Sequence, residues 1–513
     1  MRVHQGGIEP LLLASMLLLS ILSPSFFSNA HANPGTVNVP GDYPSIQAGI
    51  NHAIVGDTVM VGLGVYNERV VLNKTVHLVG AARDGTIIDG QRAGTVVTVT
   101  VDSASITGFT IRNPAIFGNA VELLHVNNTS VTNCAISTDV GSGRPTGAGL
   151  DLYGSNGTLV DGNVFTHSLY GVNMSFSVRN RISNNRMLNS TLIGVEFLDS
   201  ANNTIIQNRI EYGEEGLDLT GPGTIGNNVT RNALVGMSLS GVFLIDRGFG
   251  NLFVENSFLL NHIGVNIQNV TSQNTFYHNS FLRSGFRHVN HVFPGDGALD
   301  VWDNRSLGGP VKGGNYWDDY AGTDNNGDGI GDTNLRADGV DSFPLMSPFV
   351  PVPLAVVKII PSKGSGSVPF SVSFQADVLG TLKPFTYLWS FGDNSSNSTE
   401  SIPSHTYSTA GNFTVRVVVR DGSAASDVGS VSVLASNPSG PSLILWAGLI
   451  VLGVGGGVLG FVYYRRRKGR RADGVEGNVQ GMGSKVDGRG RVWTGGSRLV
   501  LDRVQVRLTS RMM

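Results

Sequence analysis

Residues 324–332 read Asp324-Asn325-Asn326-Gly327-Asp328-Gly329-Ile330-Gly331-Asp332. Side-chain oxygens fall at positions 1, 3, 5 and 9 of this run, the Ile330 carbonyl at position 7 and glycine at position 6. That is the order in which a calcium loop presents hard oxygen ligands. Position 12 is Leu335 where such a loop has a bidentate glutamate, so a full shell needs Asp318, Asp319, Asp338 or Asp341 to fold in. A loop of Asx turns that needs no metal is the alternative. A second set follows a recurring Gly-apolar-x-apolar unit, whose third place gives Asn173, Glu196, Asp218, Ser238 and Asn266, with Glu122 and Asp151 in the equivalent place earlier. If these units are stacked strands, neighbours lie about 4.8 Å apart. Glu196 and Asp218 then have roughly the separation of the carboxylate pair in a retaining glycosidase, and such close like charges raise one pKa. No Arg or Lys shares the column, so a sugar contact, a calcium contact and a plain solvated face stay open beside catalysis.

The elements that would position these groups show in the asparagines. The chain has 42, of which 21 lie between residues 151 and 300. Pairs with four residues between them recur as Asn180/Asn185, Asn203/Asn208, Asn227/Asn232, Asn251/Asn256 and Asn274/Asn279, at steps of 23, 24, 24 and 23 residues. A period in the low twenties, rich in β-branched residues and glycine and without a helical pattern, predicts a solenoid whose coils bury their apolar faces only against one another. A leucine-rich repeat needs its leucine consensus and a propeller blade about 40 residues, which leaves the right-handed parallel β-helix. Asparagine at one place in each coil then stacks amide on amide, in turns where it tolerates the left-handed backbone. Residues 44–53, with a Ser45 N-cap and apolar positions 46, 50 and 53, predict a short amphipathic helix that closes the first coil.

Charge divides the 513-residue chain. Residues 33–441 carry 22 Lys/Arg against 33 Asp/Glu, a balance of −11, while residues 465–513 carry 13 against 4, a balance of +9. The N-terminus combines Arg2, an apolar run from Leu11 to Leu22 and Ala30-His31-Ala32, the pattern of a cleaved export signal over residues 1–32. From Leu443 to Tyr464 no charge interrupts 22 residues, enough to span a membrane, and a block from Arg465 to Arg471 follows. Basic residues there retain the tail on the cytoplasmic side, which predicts a single-pass type I protein with its ectodomain outside the cell and no nucleic-acid role for the basic block. Thirteen N-x-S/T sequons between residues 33 and 441 suit an exported surface. The one cysteine, Cys134, excludes an internal disulfide framework, a four-cysteine zinc site and a CxxC redox pair.

Three stretches resemble known families. Ser45-Ile46-Gln47, Gly56-Asp57 and Gly64-Val65-Tyr66-Asn67-Glu68 resemble the start shared by pectin-methylesterase-like and related β-helix proteins, although that family's later catalytic aspartates and arginine find no match here. Trp302-Asp303-Asn304, Gly313-Gly314-Asn315-Tyr316-Trp317-Asp318-Asp319-Tyr320, Asp324 to Asp332 and Phe343-Pro344-Leu345-Met346 resemble the C-terminal signature of NosD-like β-helix proteins of archaeal surfaces. This resemblance implies a solenoid over residues 33–349 and brings copper-site maturation into view, with His262, His278, His288 and His291 as the histidines to weigh. Only His288 and His291 are close in sequence, and scattered solenoid histidines are the preferred reading over copper. Tyr387-Leu388-Trp389-Ser390-Phe391-Gly392-Asp393, His405-Thr406-Tyr407 and Gly411-Asn412-Phe413-Thr414-Val415 resemble the PKD domain, an immunoglobulin-like β-sandwich, over residues 350–435. Alternation from Phe413 to Arg420 independently gives a half-buried strand, and such domains serve as spacers or carbohydrate-associated modules.

The expected protein is therefore all-β: a parallel β-helix, a sandwich, one membrane span and a basic tail over 465–513. Non-catalytic binding of carbohydrate or cell-envelope components is the leading reading, using Glu122, Asp151, Asn173, Glu196 and Asp218. A polysaccharide-active enzyme working through Glu196 and Asp218 is the second, and a copper-maturation factor the third.

Overall fold

The structure is a computed structural model that describes residues 34–438 apart from 140–144, 146, 270–272, 293–299, 305–312, 334 and 337–339. The expected export signal and the 443–464 span lie outside these residues. Among the described residues, no helix is long and apolar enough to cross a membrane.

Short strands separated by tight corners wind into about 11 coils, and each coil gives one strand to each of three parallel sheets. Sheet I has 11 strands, from Thr36–Val39 to Thr275–Tyr277. Sheet II has 10, from Val70–Leu72 to Arg287–His291, and sheet III has 11, from Gly64–Tyr66 to Tyr316–Trp317. From Leu159–Asp161 of sheet I and Val164–Thr166 of sheet III onward, the middle residue of each three-residue strand points inward, so Val160, Ile182, Ile205, Val229, Phe253 and Phe276 stack in one line, and Phe165, Met187, Ile210, Leu234, Phe258 and Phe281 in another. The lines end in aromatic stacks: Phe253 on Phe276 at 4.5 Å, Phe276 on Trp302 at 4.4 Å, and Phe281 on Trp317 at 4.4 Å between centroids. These flat rings supply apolar area where the last coil has no successor.

Two asparagine ladders hold the corners. In one, the Oδ1 atoms of Asn203, Asn227, Asn251 and Asn274 accept the backbone N–H of the asparagine one coil earlier at 2.9–3.0 Å, and its Nδ2 as well. The second runs from Asn163 through Asn185, Asn208, Asn232, Asn256 and Asn279 to Asn315. Every ladder side chain is buried, with donors and acceptor both used. The left-handed residue is not the ladder asparagine, as the sequence suggested, but the one before it: Arg179, Asn184, Asn202, Gln207, Arg231, Glu255, Gln273 and His278 all have φ near +55 to +60°. That residue turns the corner so that the following amide points inward. Each ladder ends on a carboxylate. Asp300 accepts from the Asn274 backbone at 2.9 Å, and Asp341 from Asn315 at 2.7 Å and from the Trp317 indole at 2.8 Å. Burial pushes the Asp300 carboxyl up to about 7 and Asp341 up to about 6.

The first coil is closed by helix Ile46–His52, with Ile46 and Ile50 buried. Ser45 Oγ accepts from Ala48 N at 3.2 Å, and the Glu68 carboxylate takes the Ile46 and Gln47 amides at 2.8 and 3.0 Å. Asp57 binds the Gly35 and Ile54 amides at 2.6 and 2.9 Å. The residues that carry the esterase-like resemblance therefore hold the cap together.

After the solenoid, seven strands from Ala355–Pro361 to Ser426–Ser436 form a three-stranded and a four-stranded sheet around Trp389, Tyr407, Phe374, Val415 and Val417. Tyr407 donates to the Phe391 carbonyl at 2.9 Å, and His405 pairs with Asp393 at 2.7 Å while stacking on Phe391 at 4.2 Å. Val352 and Ala355 pack with Ala233, Val235 and Leu259 of the solenoid, and Arg283 pairs with Asp377 at 2.8 Å.

Candidate functional site

Pairing on sheet II places Glu122 opposite Asp151, Asp151 opposite Asn173, Asn173 opposite Glu196, and Glu196 opposite Asp218. The five residues form one row across five coils. Beyond Asp218 the sequence reading fails: the next strand is Ser240–Ile245, and Phe243, not Ser238, pairs with Asp218 and with Asn266. Gly236 and Ser238 belong to the corner before that strand, where Gly236 takes φ +70°. The polar row is thus interrupted by a phenylalanine.

Within the row the environments differ. Asn119 donates to Asp151 Oδ2 at 3.1 Å and to Glu122 Oε1 at 3.5 Å, and Asn173 donates to Asp151 Oδ1 at 2.9 Å. Burial, with the Glu122 charge beside it, pushes the Asp151 carboxyl up to about 6 against these two amide hydrogen bonds. Glu196 is half-buried, whereas Asp218 is fully buried and accepts a hydrogen bond from Thr220 Oγ1. A molecule lying on the open face therefore meets Glu122, Asp151, Asn173 and Glu196 before it could reach Asp218.

Aromatic residues line one side of the row. Tyr153 stands two residues past Asp151 and so on the same face. Its ring meets His125 edge-on at 5.1 Å and Phe176 at 5.7 Å, one residue from each of three successive coils. Tyr153 is 41% and Phe176 52% exposed. His125 and Phe176 sit at corners with φ 53°, and neither spacing nor residue type marks them as neighbours in the sequence. On the other side, Arg92, Thr95, Ile116, Phe117 and Gly118 line an open cavity of about 670 Å³. Thr95 Oγ1 accepts the Asn119 backbone N–H at 3.3 Å, which joins this cavity to the amide that bridges Glu122 and Asp151.

The loop from Asp324 to Asp332 spends its oxygens on its own backbone. Asp324 accepts from Gly327, Asp328 and Gly329 at 2.7, 3.2 and 2.9 Å, Asn326 Oδ1 from Asp328 at 2.9 Å, Asp328 from Ile330 at 2.9 Å, and Asp332 from Asn325 at 2.6 Å. The histidines lie in separate surroundings: His262 stacks on Phe286 at 5.6 Å, His278 on Phe349 at 3.6 Å, and His288 meets Asp318 and Asp319. His288 and His291 share one strand three residues apart, on opposite faces.

Residues 119–281 match the family model described as right handed beta helix region, and residues 352–434 match the PKD domain. The chain carries a right-handed β-helix and a PKD domain. No curated protein matches it. Among solved structures it is similar to an alginate lyase from Paenibacillus sp. str. FPU-7, at 12% identity over 50% of this chain and 99% of that one, with TM-score 0.34. It is also similar to pectin methylesterase PemA from Erwinia chrysanthemi, at 12% identity over 42% and 81%, TM-score 0.31. A third is the catalytic domain of a GH87 α-1,3-glucanase in complex with nigerose, at 12% identity over 53% and 68%, TM-score 0.30. At such values the activities of those proteins and their residues do not transfer to this β-helix.

Proposed function

We propose that this chain is a surface-anchored protein that binds carbohydrate along the outer face of sheet II. The observation that carries the reading is the aromatic edge of His125, Tyr153 and Phe176 beside the row of Glu122, Asp151, Asn173 and Glu196. Exposed rings offer flat faces for the C–H side of a sugar ring, and carboxylates or amides beside them accept from and donate to its hydroxyls. The acidic row disfavours uronic acids through like charge and suits neutral or amino sugars. In this reading residues 443–464 are the membrane anchor, residues 465–513 the cytoplasmic tail, and the β-helix and PKD domain the exported part. The double substitution Glu122→Gln with Asp151→Asn keeps the side-chain volumes and removes both charges. On a glycan array it should lower the signal of the full-length chain about tenfold; an unchanged signal would move the site off this row.

A second reading, polysaccharide cleavage, rests on Asp151. A carboxyl that keeps its proton to about pH 6 beside the carboxylate of Glu122 is the kind of pair that supplies a general acid and a base or nucleophile. Release of reducing ends from a bound glycan, lost in Asp151→Asn, would establish it. Calcium at the loop from Asp324 to Asp332 is a separate proposal, supported by its spacing of oxygen ligands.

A further inference from the structure

We propose that His288, Asp318 and Asp319 form a divalent-cation site of one imidazole and two carboxylates at the last coil of the β-helix. His288 comes from Arg287–His291, the last strand of sheet II, and the two aspartates directly follow Tyr316–Trp317, the last strand of sheet III. Their ligand atoms all lie within 4.8 Å of one another, and no other such group of three occurs among the described residues.

Three features separate this group from an ordinary surface ion pair. First, the imidazole is held on both sides: Nδ1 lies 2.8 Å from Ser284 Oγ, which leaves Nε2 to face the carboxylates, and the side chain is only 6% exposed. A ligating histidine is typically fixed in this way by a partner on its other nitrogen. Second, Asp318 Oδ2 accepts the Arg283 backbone N–H at 2.8 Å, so Oδ1 is the oxygen turned to His288. Third, the geometry accommodates a shared cation as well as the hydrogen bond between His288 Nε2 and Asp318 Oδ1. Nε2 stands 3.0 Å from Asp318 Oδ1 and 3.4 Å from Asp319 Oδ1. The longer one is outside the usual hydrogen-bond range of about 2.7–3.2 Å. Ligands bound at about 2.0–2.1 Å around a tetrahedral ion stand roughly 3.3 Å apart, so both edges fit with little movement.

The chemistry selects the ion. One borderline nitrogen and two hard oxygens, with no thiolate or thioether, suit Zn²⁺ or Mn²⁺ over Cu⁺. Phe281 and Trp317 lie against His288 at 6.0 and 5.9 Å between centroids and close the inner side. Asp319 is 62% exposed, which opens the outer side to water ligands and to entry of the ion. A cation here would tie the last strands of two sheets together where the solenoid has no further coil.

The test is Co²⁺ and Zn²⁺ titration of the full-length chain. One equivalent of Co²⁺ should give visible d–d absorption that Zn²⁺ removes. Asp319→Asn, at an exposed position, should weaken Zn²⁺ at least tenfold without changing the metal-free melting temperature, and His288→Gln should abolish the absorption. Asp324→Asn, in the neighbouring loop, should leave both intact. Equal Zn²⁺ affinity in wild type and Asp319→Asn, or no binding below millimolar Zn²⁺, would overturn the site and leave His288 as an ion-paired histidine.

Discussion

The inside and the outside of the β-helix use the same stacking in opposite ways. Inside, asparagine repeats without change from Asn163 to Asn315 and from Asn180 to Asn274, and each amide is used by its neighbours. Outside, the row on sheet II changes residue at every coil, from Glu122 through Asp151 and Asn173 to Glu196 and Asp218, and is interrupted by Phe243 before Asn266. Uniform polar repetition satisfies the corners and supports the coil. Irregular polar repetition sets carboxylates and amides of differing burial beside exposed rings.

The largest break in this comparison should come from the interior. Asn208→Ala removes the oxygen that serves Asn185 N and Nδ2 and the donor that reaches the Ile182 carbonyl, all of them buried. The expected loss is about 3 kcal/mol in denaturant unfolding, whereas Glu196→Gln on the outer row should stay within about 0.5 kcal/mol.

Next is the end of a ladder. With its folded pKa raised to about 7, Asp300 contributes stability that is full below its unfolded pKa near 3.8 and is lost as pH rises through 7. Asp300→Asn gives the ladder one more amide without charge. It should exceed wild type at pH 8 by on the order of 2 kcal/mol and lose that advantage below about pH 4 in thermal melts. An advantage independent of pH would place the effect in packing. The smallest effect is expected at the calcium loop, whose oxygens already hold their own amides. Added Ca²⁺ should raise the melting temperature of the full-length chain by a few degrees, and Asp324→Asn should cancel the rise; no shift would leave an Asx-turn loop without metal.

The interior was the legible part of the sequence, because one residue type recurs at nearly constant spacing there. The pattern is no longer legible where that regularity stops. The second ladder steps 36 residues from Asn279 to Asn315 instead of 22 to 24, and both ladders finish on aspartate, so neither end showed as a repeat. The glycine unit failed at Gly236 because Gly241 offers the same pattern five residues later, and only pairing decides between them. The signature around Tyr316 likewise divides into roles that spacing cannot show: Asn315 extends a ladder, Trp317 caps the aromatic stack, and Asp318 meets His288. The outer row was predicted over five coils, but its aromatic edge was not, since His125, Tyr153 and Phe176 become neighbours only once the coils are wound.

That edge gives the most direct test of the central claim. Glycan-array binding of the full-length chain should be compared with that of Tyr153→Ala combined with Phe176→Ala, two exposed positions whose loss should leave unfolding nearly unchanged. Binding of neutral or amino sugars that falls about tenfold in the double variant is the predicted result. Equal binding by both proteins, or none by the wild type, would contradict a carbohydrate site on sheet II.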